Sequence, residues 1–357
     1  FATSFVRGRF EFEPSLHELC DVGTEENPGD VRRLIEQTLG VKVDWLPVPE
    51  AYRLITTGEG EDNLDVVMPF GVKEYVDRME QYVPGSRPSM EKFITLCEQI
   101  MAALAYIGAS GGKADSKVLM KEHANFLKCG GYSVSRVLKS LRMPQKAQRI
   151  LCAYWCYVGV STDKLNFALF AAMLYKYLTR GAWIPRMRSH ELSVAMDVRI
   201  RELGGDIWYN TRAERILTEN GKIVGVRTAH GDVKTRHVIA CCSPNAVFGD
   251  MMDSSDVPER QTRMINARKF GPRGFVVYLG LNKTADELGL TDYSYFIYES
   301  MDTIKEAARA DKFNDHPMQA TVCLNRANPD CSPDGTCIMS FTKIGRASCR
   351  ERVFRTV

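Results

Sequence analysis

RELGGDIWYNTRAERILTENGKIVGVRTAHGDVKTRHVIACCSP, residues 201–244, reads as a helix end followed by a three-stranded meander. The helix is expected to stop at Leu203, where Gly204-Gly205 lets the backbone turn without a side-chain clash. Strands are expected over 206–210 running on to Ile216, over 222–229 and over 233–240. Asn220-Gly221 is a two-residue hairpin signal, because both positions accept a positive φ. His230-Gly231-Asp232 marks the second reversal. Val238-Ile239-Ala240 then runs into Cys241-Cys242-Ser243-Pro244 and stops.

A plain β-meander without a ligand has the same parts, but their order here is more specific. Gly204, Gly205, Asn210, Ala213, Ile216, Gly221, Gly225, Val226, Val238, Ile239 and Pro244 fall in one pattern. It resembles the second cofactor segment of the FAD-dependent phytoene desaturase and amine oxidase superfamily, which includes carotenoid isomerases and retinol saturases. The resemblance implies that the backbone at Ala213 lies against the adenine of FAD and that the Cys241-Cys242 turn lies near the cofactor.

The rest of the chain follows that family's order. Arg9-Phe10-Glu11-Phe12-Glu13 alternates and is expected to be a strand with Phe10 and Phe12 on one face, ended by Pro14. Relatives carry Phe-x-Asp-x-Gly-Pro here. This chain has Phe12-Glu13-Pro14, and Glu13 stands as a cofactor-binding candidate. In relatives such a strand follows an opening βαβ unit with GxGxxG, a unit of about 30 residues. The chain is expected to start just after that unit and to stop before the final flavin segment. It is therefore expected, on its own, to be inactive, to lose FAD and to aggregate.

Asn27-Pro28-Gly29-Asp30 is a turn and helix start with Asp30 as expected N-cap; Val31, Leu34, Ile35, Thr38 and Leu39 fall at helical spacing and Gly40 stops it. Residues 45–57 and 64–69 read as extended. From Gly71 to Leu178 the pattern is helical. Pro88 suits a first turn, with Phe93, Ile94, Cys97, Ile100, Met101 and Leu104 forming one stripe. Residues 165–178 are apolar nearly all round and are expected to be buried. The resemblance makes this insertion a lid over an apolar substrate tunnel.

Gly181-Ala182-Trp183-Ile184-Pro185-Arg186-Met187-Arg188-Ser189 enters the next helix. Relatives have Gly-Gly where Met187-Arg188 stands. Ser189 is the expected N-cap, with Leu192, Ala195, Met196 and Leu203 as the buried stripe. Trp183 and Arg188 are substrate-site candidates. His17, Glu18 and Arg186 are catalytic candidates by position alone. Beyond Pro244, a short helix is expected over 245–253 and strands over 272–281, with Phe275, Val277 and Leu279 alternating, 293–298, 318–324 and 337–342.

The expected fold class is α/β (α+β): an incomplete dinucleotide fold with a helical insertion and a mixed-sheet substrate domain. The divisions are 1–70, 71–180, 181–250, 251–343 and 344–357. The last, IGRASCRERVFRTV, leaves the preceding pattern and resembles sequencing-adaptor read-through. Without it the net charge of +3 falls to zero, with 43 basic and 43 acidic residues, so no basic field argues for nucleic acid. No apolar run approaches the roughly 18 residues of a membrane span. The eleven cysteines show no CxxC spacing, which favours a reducing cytoplasm and gives zinc no cluster. Cys241 and Cys242 are expected to be buried and unreactive.

The resemblance implies an FAD-dependent oxidoreductase acting on C–C bonds of a long polyene-like substrate such as a carotenoid or retinoid, with NAD(P) as candidate electron partner. An apolar substrate implies peripheral membrane association. A flavin amine oxidase and a flavin-free scaffold of the same fold are the alternatives.

Overall fold

The computed structural model describes residues 3–14, 17–58, 63–268, 273–309 and 318–345. Glu59-Gly60, Pro272 and residues 346–357, on which parts of the expectations fall, lie outside them. The chain folds as two compact units, one of residues 1–199 with 272–357 and one of residues 200–271.

The first unit opens with a hairpin of β1 (Phe5–Arg7) and β2 (Phe10–Phe12). β3 (Leu19–Cys20), β4 (Trp45–Pro47) and β7 (Ala182–Pro185) form a small antiparallel sheet with β7 in the middle. A larger mixed sheet takes β5 (Tyr52–Thr56), β6 (Asp65–Met68), β11 (Arg273–Leu281), β12 (Ser294–Tyr298), β13 (Gln319–Cys323) and β14 (Cys337–Gly345) in the order β11-β14-β13-β12-β5-β6. Only its β12–β5 pair is parallel, with Phe296 opposite Leu54. β14 includes Ile344 and Gly345, the first two residues of the stretch expected to be an artefact, and pairs them with Gly274 and Arg273.

The α-helices up to residue 202 are α1 (Asp30–Arg32), α2 (Val72–Tyr82), α3 (Arg87–Ala109), α4 (Ser116–Glu122), α5 (Ala124–Cys129), α6 (Val134–Ser140), α7 (Gln145–Leu151), α8 (Trp155–Val158), α9 (Phe167–Arg180) and α10 (Arg188–Glu202). Their local causes are readable. Pro88 sits in the first turn of α3. The Asn166 side chain caps α9 by accepting from Leu169 N–H at 3.1 Å. Gly159 ends α8 at φ +69.

Several expectations are corrected. Gly29, not Asp30, is the N-cap of α1, and a Cβ there would sit 2.0 Å from the Asp21 carbonyl oxygen. Asp30 instead pairs with Lys176 at 2.9 Å. The segment continues as a π-turn over Arg33–Thr38, leaving Leu34 exposed. The α3 stripe closes with Ala103, and Leu104 is exposed. By length and composition α3 is also apolar enough to cross a membrane, which the sequence reading had excluded; Phe93, Ile94, Cys97 and Ile100 pack one face into the core. α9 is not buried all round, because Leu169 faces outward. On edge strand β11 the register points Val277 and Leu279 outward, while Tyr278 packs against Phe5 and Phe12.

One hydrophobic core runs from the mixed sheet into the helices. Tyr52, Tyr154 and Tyr298 are buried and hydrogen-bonded to backbone: Tyr52 to Ile150 O at 2.8 Å, Tyr154 to Ala51 O at 2.7 Å and Tyr298 to Ala153 O at 2.9 Å. These bonds tie β5 and β12 to the α7–α8 corner. Glu50 accepts from Tyr293 and Ser294 N–H, and burial pushes its carboxyl up to about 7. A carboxyl that holds its proton more tightly when folded stabilises most below its ordinary range, and loses that contribution as pH rises to about 7. The full loss is at most about 3 kcal/mol. Glu50→Gln is therefore expected to stabilise the protein at about pH 8 and to change little at about pH 5. Urea midpoints at the two pH values measure it, and equal shifts at both would refute the assignment.

In the second unit β8 (Ala213–Glu219), β9 (Lys222–Thr228) and β10 (Gly231–Lys234) form the expected antiparallel meander. Asn220 and Gly221 turn the hairpin at φ +51 and +70. Two ends differ. The first strand does not begin at Asp206, because its carboxylate takes local donors from Ile207 N–H and Trp208 Nε1 and Asn210 adopts φ +53. The third ends at Lys234. Residues 238–240 have no partner strand among the described residues, so no ladder forms and Ile239 is 94% exposed. Leu203 is exposed too and leaves the α10 stripe.

Candidate functional site

β2 alternates faces, so Phe10 and Phe12 enter the core while Glu11 and Glu13 point the other way. Both carboxylates meet the start of α10. Buried Glu13 accepts from Ser189 N–H at 2.8 Å and from the Ser189 hydroxyl. Ser189, expected to cap the helix with its own side chain, is fully buried in the first turn and is itself capped by Glu13. Arg188, just before it, adopts φ +64. Its guanidinium pairs with Glu11 at 2.9 Å and donates to the Cys331 carbonyl.

The crevice between Glu13, Ile184, Pro185, Arg188, Leu324 and Asn328 holds about 10 Å³. Two buried atoms of its lining residues have no partner, Arg188 Nε and Asn328 Oδ1. Asn328 is held by donating to Arg186 O at 2.6 Å. A second crevice of about 10 Å³ shares Glu13 and Leu324 and adds His17, Tyr278, Val322, Ile338 and Ser340. Each has room for about one water.

Behind the second crevice lies a buried polar chain. His17 Nε2 is 3.0 Å from the Tyr157 hydroxyl, and Tyr157 and Tyr177 both donate to Glu18 Oε1 at 3.1 Å. Glu18 Oε2 has no partner. Burial pushes the Glu18 carboxyl above the ordinary range, against the pull of His17 and the two hydroxyls. The Tyr154, Tyr177 and Phe70 rings wall this region.

Glu13, His17, Glu18 and Arg188 thus come together on the first unit. Trp183 and Arg186 do not join them. Trp183 donates to Arg180 O at 2.8 Å, has the Arg32 guanidinium 5.9 Å from its ring, and belongs to a separate small core with Val22, Ile35, Trp45 and Leu192. Arg186 forms an exposed ion pair with Asp44 at 2.5 Å. On the second unit, Ala213 opens β8 opposite Thr228 and is exposed. Cys241 and Cys242 are exposed rather than buried, and the residues just before them form no ladder. Sequence reasoning missed Ser189 as an interior group, and it missed Tyr157, Tyr177 and Asn328. Asn328 carried no signal beyond turn chemistry, and Tyr157 looked like any aromatic of the insertion.

A flavin presents an edge of alternating carbonyl and N–H groups. The buried, unpartnered donor of Arg188 and acceptor of Asn328 match that chemistry. At about 10 Å³, however, the crevice does not admit a flavin ring, so these two atoms by themselves do not make it a flavin site.

Residues 71–334 match the family model of flavin containing amine oxidoreductases. An all-trans-retinol 13,14-reductase of Danio rerio is 23% identical over 310 residues, 83% of this chain and 50% of that protein. A zeta-carotene-forming phytoene desaturase of Myxococcus xanthus is 26% identical over 134 residues, 37% of this chain and 25% of the relative. The chain spans about half the length of the first of these. An oxidoreductase crystal structure from Methanosarcina mazei superposes with a TM-score of 0.64 at 13% identity, covering 96% of this chain and 69% of that one. With a family match over more than half its residues, this chain belongs to the flavin containing amine oxidoreductase family.

Proposed function

We propose that the protein carrying this chain is an FAD-dependent oxidoreductase that acts on C–C double bonds of a long polyene, of the retinoid or carotenoid kind. The observation that carries the reading is the family match over residues 71–334, together with relatives named for retinol reduction and phytoene desaturation. When bound, the flavin supplies hydride transfer. The chain's own contribution is to hold the ring, exclude water and manage the proton. Glu13 fixes the start of α10 beside Arg188 and Asn328. Ala213, Cys241 and Cys242 remain proposed contacts to the nucleotide half. The aromatic wall around Tyr154, Tyr177 and Phe296 supports a dry, apolar site. NAD(P) is the proposed electron partner, and delivery of the substrate from a lipid surface is the proposed reason for peripheral membrane association.

The test is to purify the full-length protein, record its visible spectrum and incubate it with all-trans-retinol and, separately, a carotenoid. Flavin absorption and loss of polyene absorbance are expected. A folded, colourless protein that takes up no FAD would end the reading.

A further inference from the structure

α4 and α5 carry Val118, Leu119, Met120, Phe126 and Leu127, yet neither helix has a fully buried residue. Both lie along the second half of α3. Asp115 N–H donates to the Tyr106 hydroxyl at 3.0 Å, the Tyr106 and His123 rings stack at 5.4 Å, and Asn125 Nδ2 donates to Gln99 Oε1 at 2.7 Å. Asn166 caps α9 and donates to Gly130 O at 2.6 Å, which brings the start of α9 to the same corner. Met120, Leu127 and Leu169 are 59%, 49% and 55% exposed there. Leu104 of α3 and Tyr132 are exposed as well.

Positive charge gathers where these apolar groups are exposed. Residues 110–146 hold eight basic residues and two acidic ones, while the rest of residues 1–343 holds 35 basic and 41 acidic. Lys113, Lys117, Lys121 and Lys128 are exposed, and their ammonium groups form no ion pair among the described residues. Lys117 and Lys121 stand one turn apart on α4, where like charges repel and weaken the helix. An anionic surface outside the protein turns that cost into attraction. The Arg136 guanidinium lies 4.1 Å from the centroid of the exposed Tyr132 ring and adds an amphipathic pair.

We propose that this corner, built from the second half of α3 with α4, α5 and the start of α9, docks on an anionic phospholipid bilayer. The inference rests on the membrane association proposed above and adds the docking surface and the charge of the lipid. Met120, Leu127 and Leu169 enter the boundary between headgroups and acyl chains, and the lysines meet the anionic headgroups. α3 lies on the bilayer and does not cross it, because Phe93, Cys97, Ile100 and Ala103 are held in the protein interior. Exposed leucines and a methionine among the lysines favour lipid over nucleic acid, whose phosphate backbone gives such groups nothing to bury against. Each lysine near an anionic surface is worth about fivefold in partitioning, so four together give on the order of 100-fold or more.

The experiment floats the full-length, flavin-loaded protein with phosphatidylcholine vesicles made with and without phosphatidylserine. Binding should be about 100-fold tighter with phosphatidylserine and should fall steeply with salt. The combined Lys113→Gln, Lys117→Gln, Lys121→Gln and Lys128→Gln variant should lose that preference and keep the parent's urea midpoint, since all four side chains are exposed. Met120→Gln together with Leu127→Gln should weaken binding to phosphatidylserine vesicles about 10-fold. The docking surface is overturned if the parent floats with neither vesicle, or if the four-lysine variant keeps the preference. Retention on duplex DNA instead of vesicles would assign the same charges to nucleic acid and overturn the lipid. Turnover of detergent-dispersed all-trans-retinol is read in parallel. A parent that turns over retinol but floats with no vesicle loses the docking surface and keeps the functional reading. A parent that floats through its lysines but holds no flavin and reduces nothing keeps the docking surface and loses the functional reading.

Discussion

Tyr154→Ala is expected to cost about 4–6 kcal/mol, from about 3–5 for emptying a buried aromatic site and at least 1 for the orphaned acceptor. Tyr154 is fully buried, with ring centroids of Tyr177, Tyr52, Tyr157 and Phe296 at 4.7, 5.0, 5.3 and 5.6 Å. Its hydroxyl is the donor to Ala51 O, so the truncation strands a buried carbonyl as well as opening a cavity. Domains of this size hold about 5–15 kcal/mol in total, so most of the stability goes. Tyr154→Phe removes only the hydrogen bond and should cost about 1–2 kcal/mol. Urea denaturation of both variants decides the matter. If alanine and phenylalanine cost the same, the ring packing is not what joins the sheet to the helices.

The fold was legible where a local rule acts alone. Asn220-Gly221 needs two positive φ values and takes them. Phe10 and Phe12 alternate with Glu11 and Glu13 and separate onto two faces. Pro88 lies in a first helical turn. Legibility failed where a side chain found an unforeseen local partner, as at Asp206, or where a strand needs a neighbour, as at Val238-Ile239-Ala240. Alternation places residues on a face; it does not say whether the face is covered, and Val277 and Leu279 are exposed for that reason.

Of the candidate residues, Trp183 and Arg186 lie apart from the rest, and no contact among the others was legible in the sequence. Glu13, His17, Glu18 and Arg188 could be picked out by position, and the fold gathers them. Their partners lie 140 to 177 residues away in most cases, as with His17–Tyr157 and Glu11–Arg188. No periodicity encodes such pairings. Met187-Arg188 in place of Gly-Gly is instructive. Arg188 adopts the left-handed backbone that glycine would take freely. An L-residue there costs about 1–2 kcal/mol, offset here by the Glu11 pair and the Cys331 carbonyl.

Glu13→Ala is expected to cost about 3–5 kcal/mol, because it strands the Ser189 N–H and leaves the first turn of α10 without its acidic cap. The Ser189 hydroxyl has a second acceptor, Thr3 O at 3.3 Å, so its share of the loss is the smaller one. Glu13→Gln keeps an acceptor for the N–H and loses the charge, and should cost about 1 kcal/mol. This asymmetry separates two roles for one carboxylate. If Glu13 serves only the helix, flavin content of the full-length protein should follow stability: kept in glutamine, lost in alanine along with the α10 fold. If its charge also faces the cofactor, glutamine should release flavin while the helix stays protected from hydrogen exchange. A double-mutant cycle with Ser189→Ala measures the coupling directly, and a coupling near zero would mean that the 176-residue contact between β2 and α10 is not what sets the helix start.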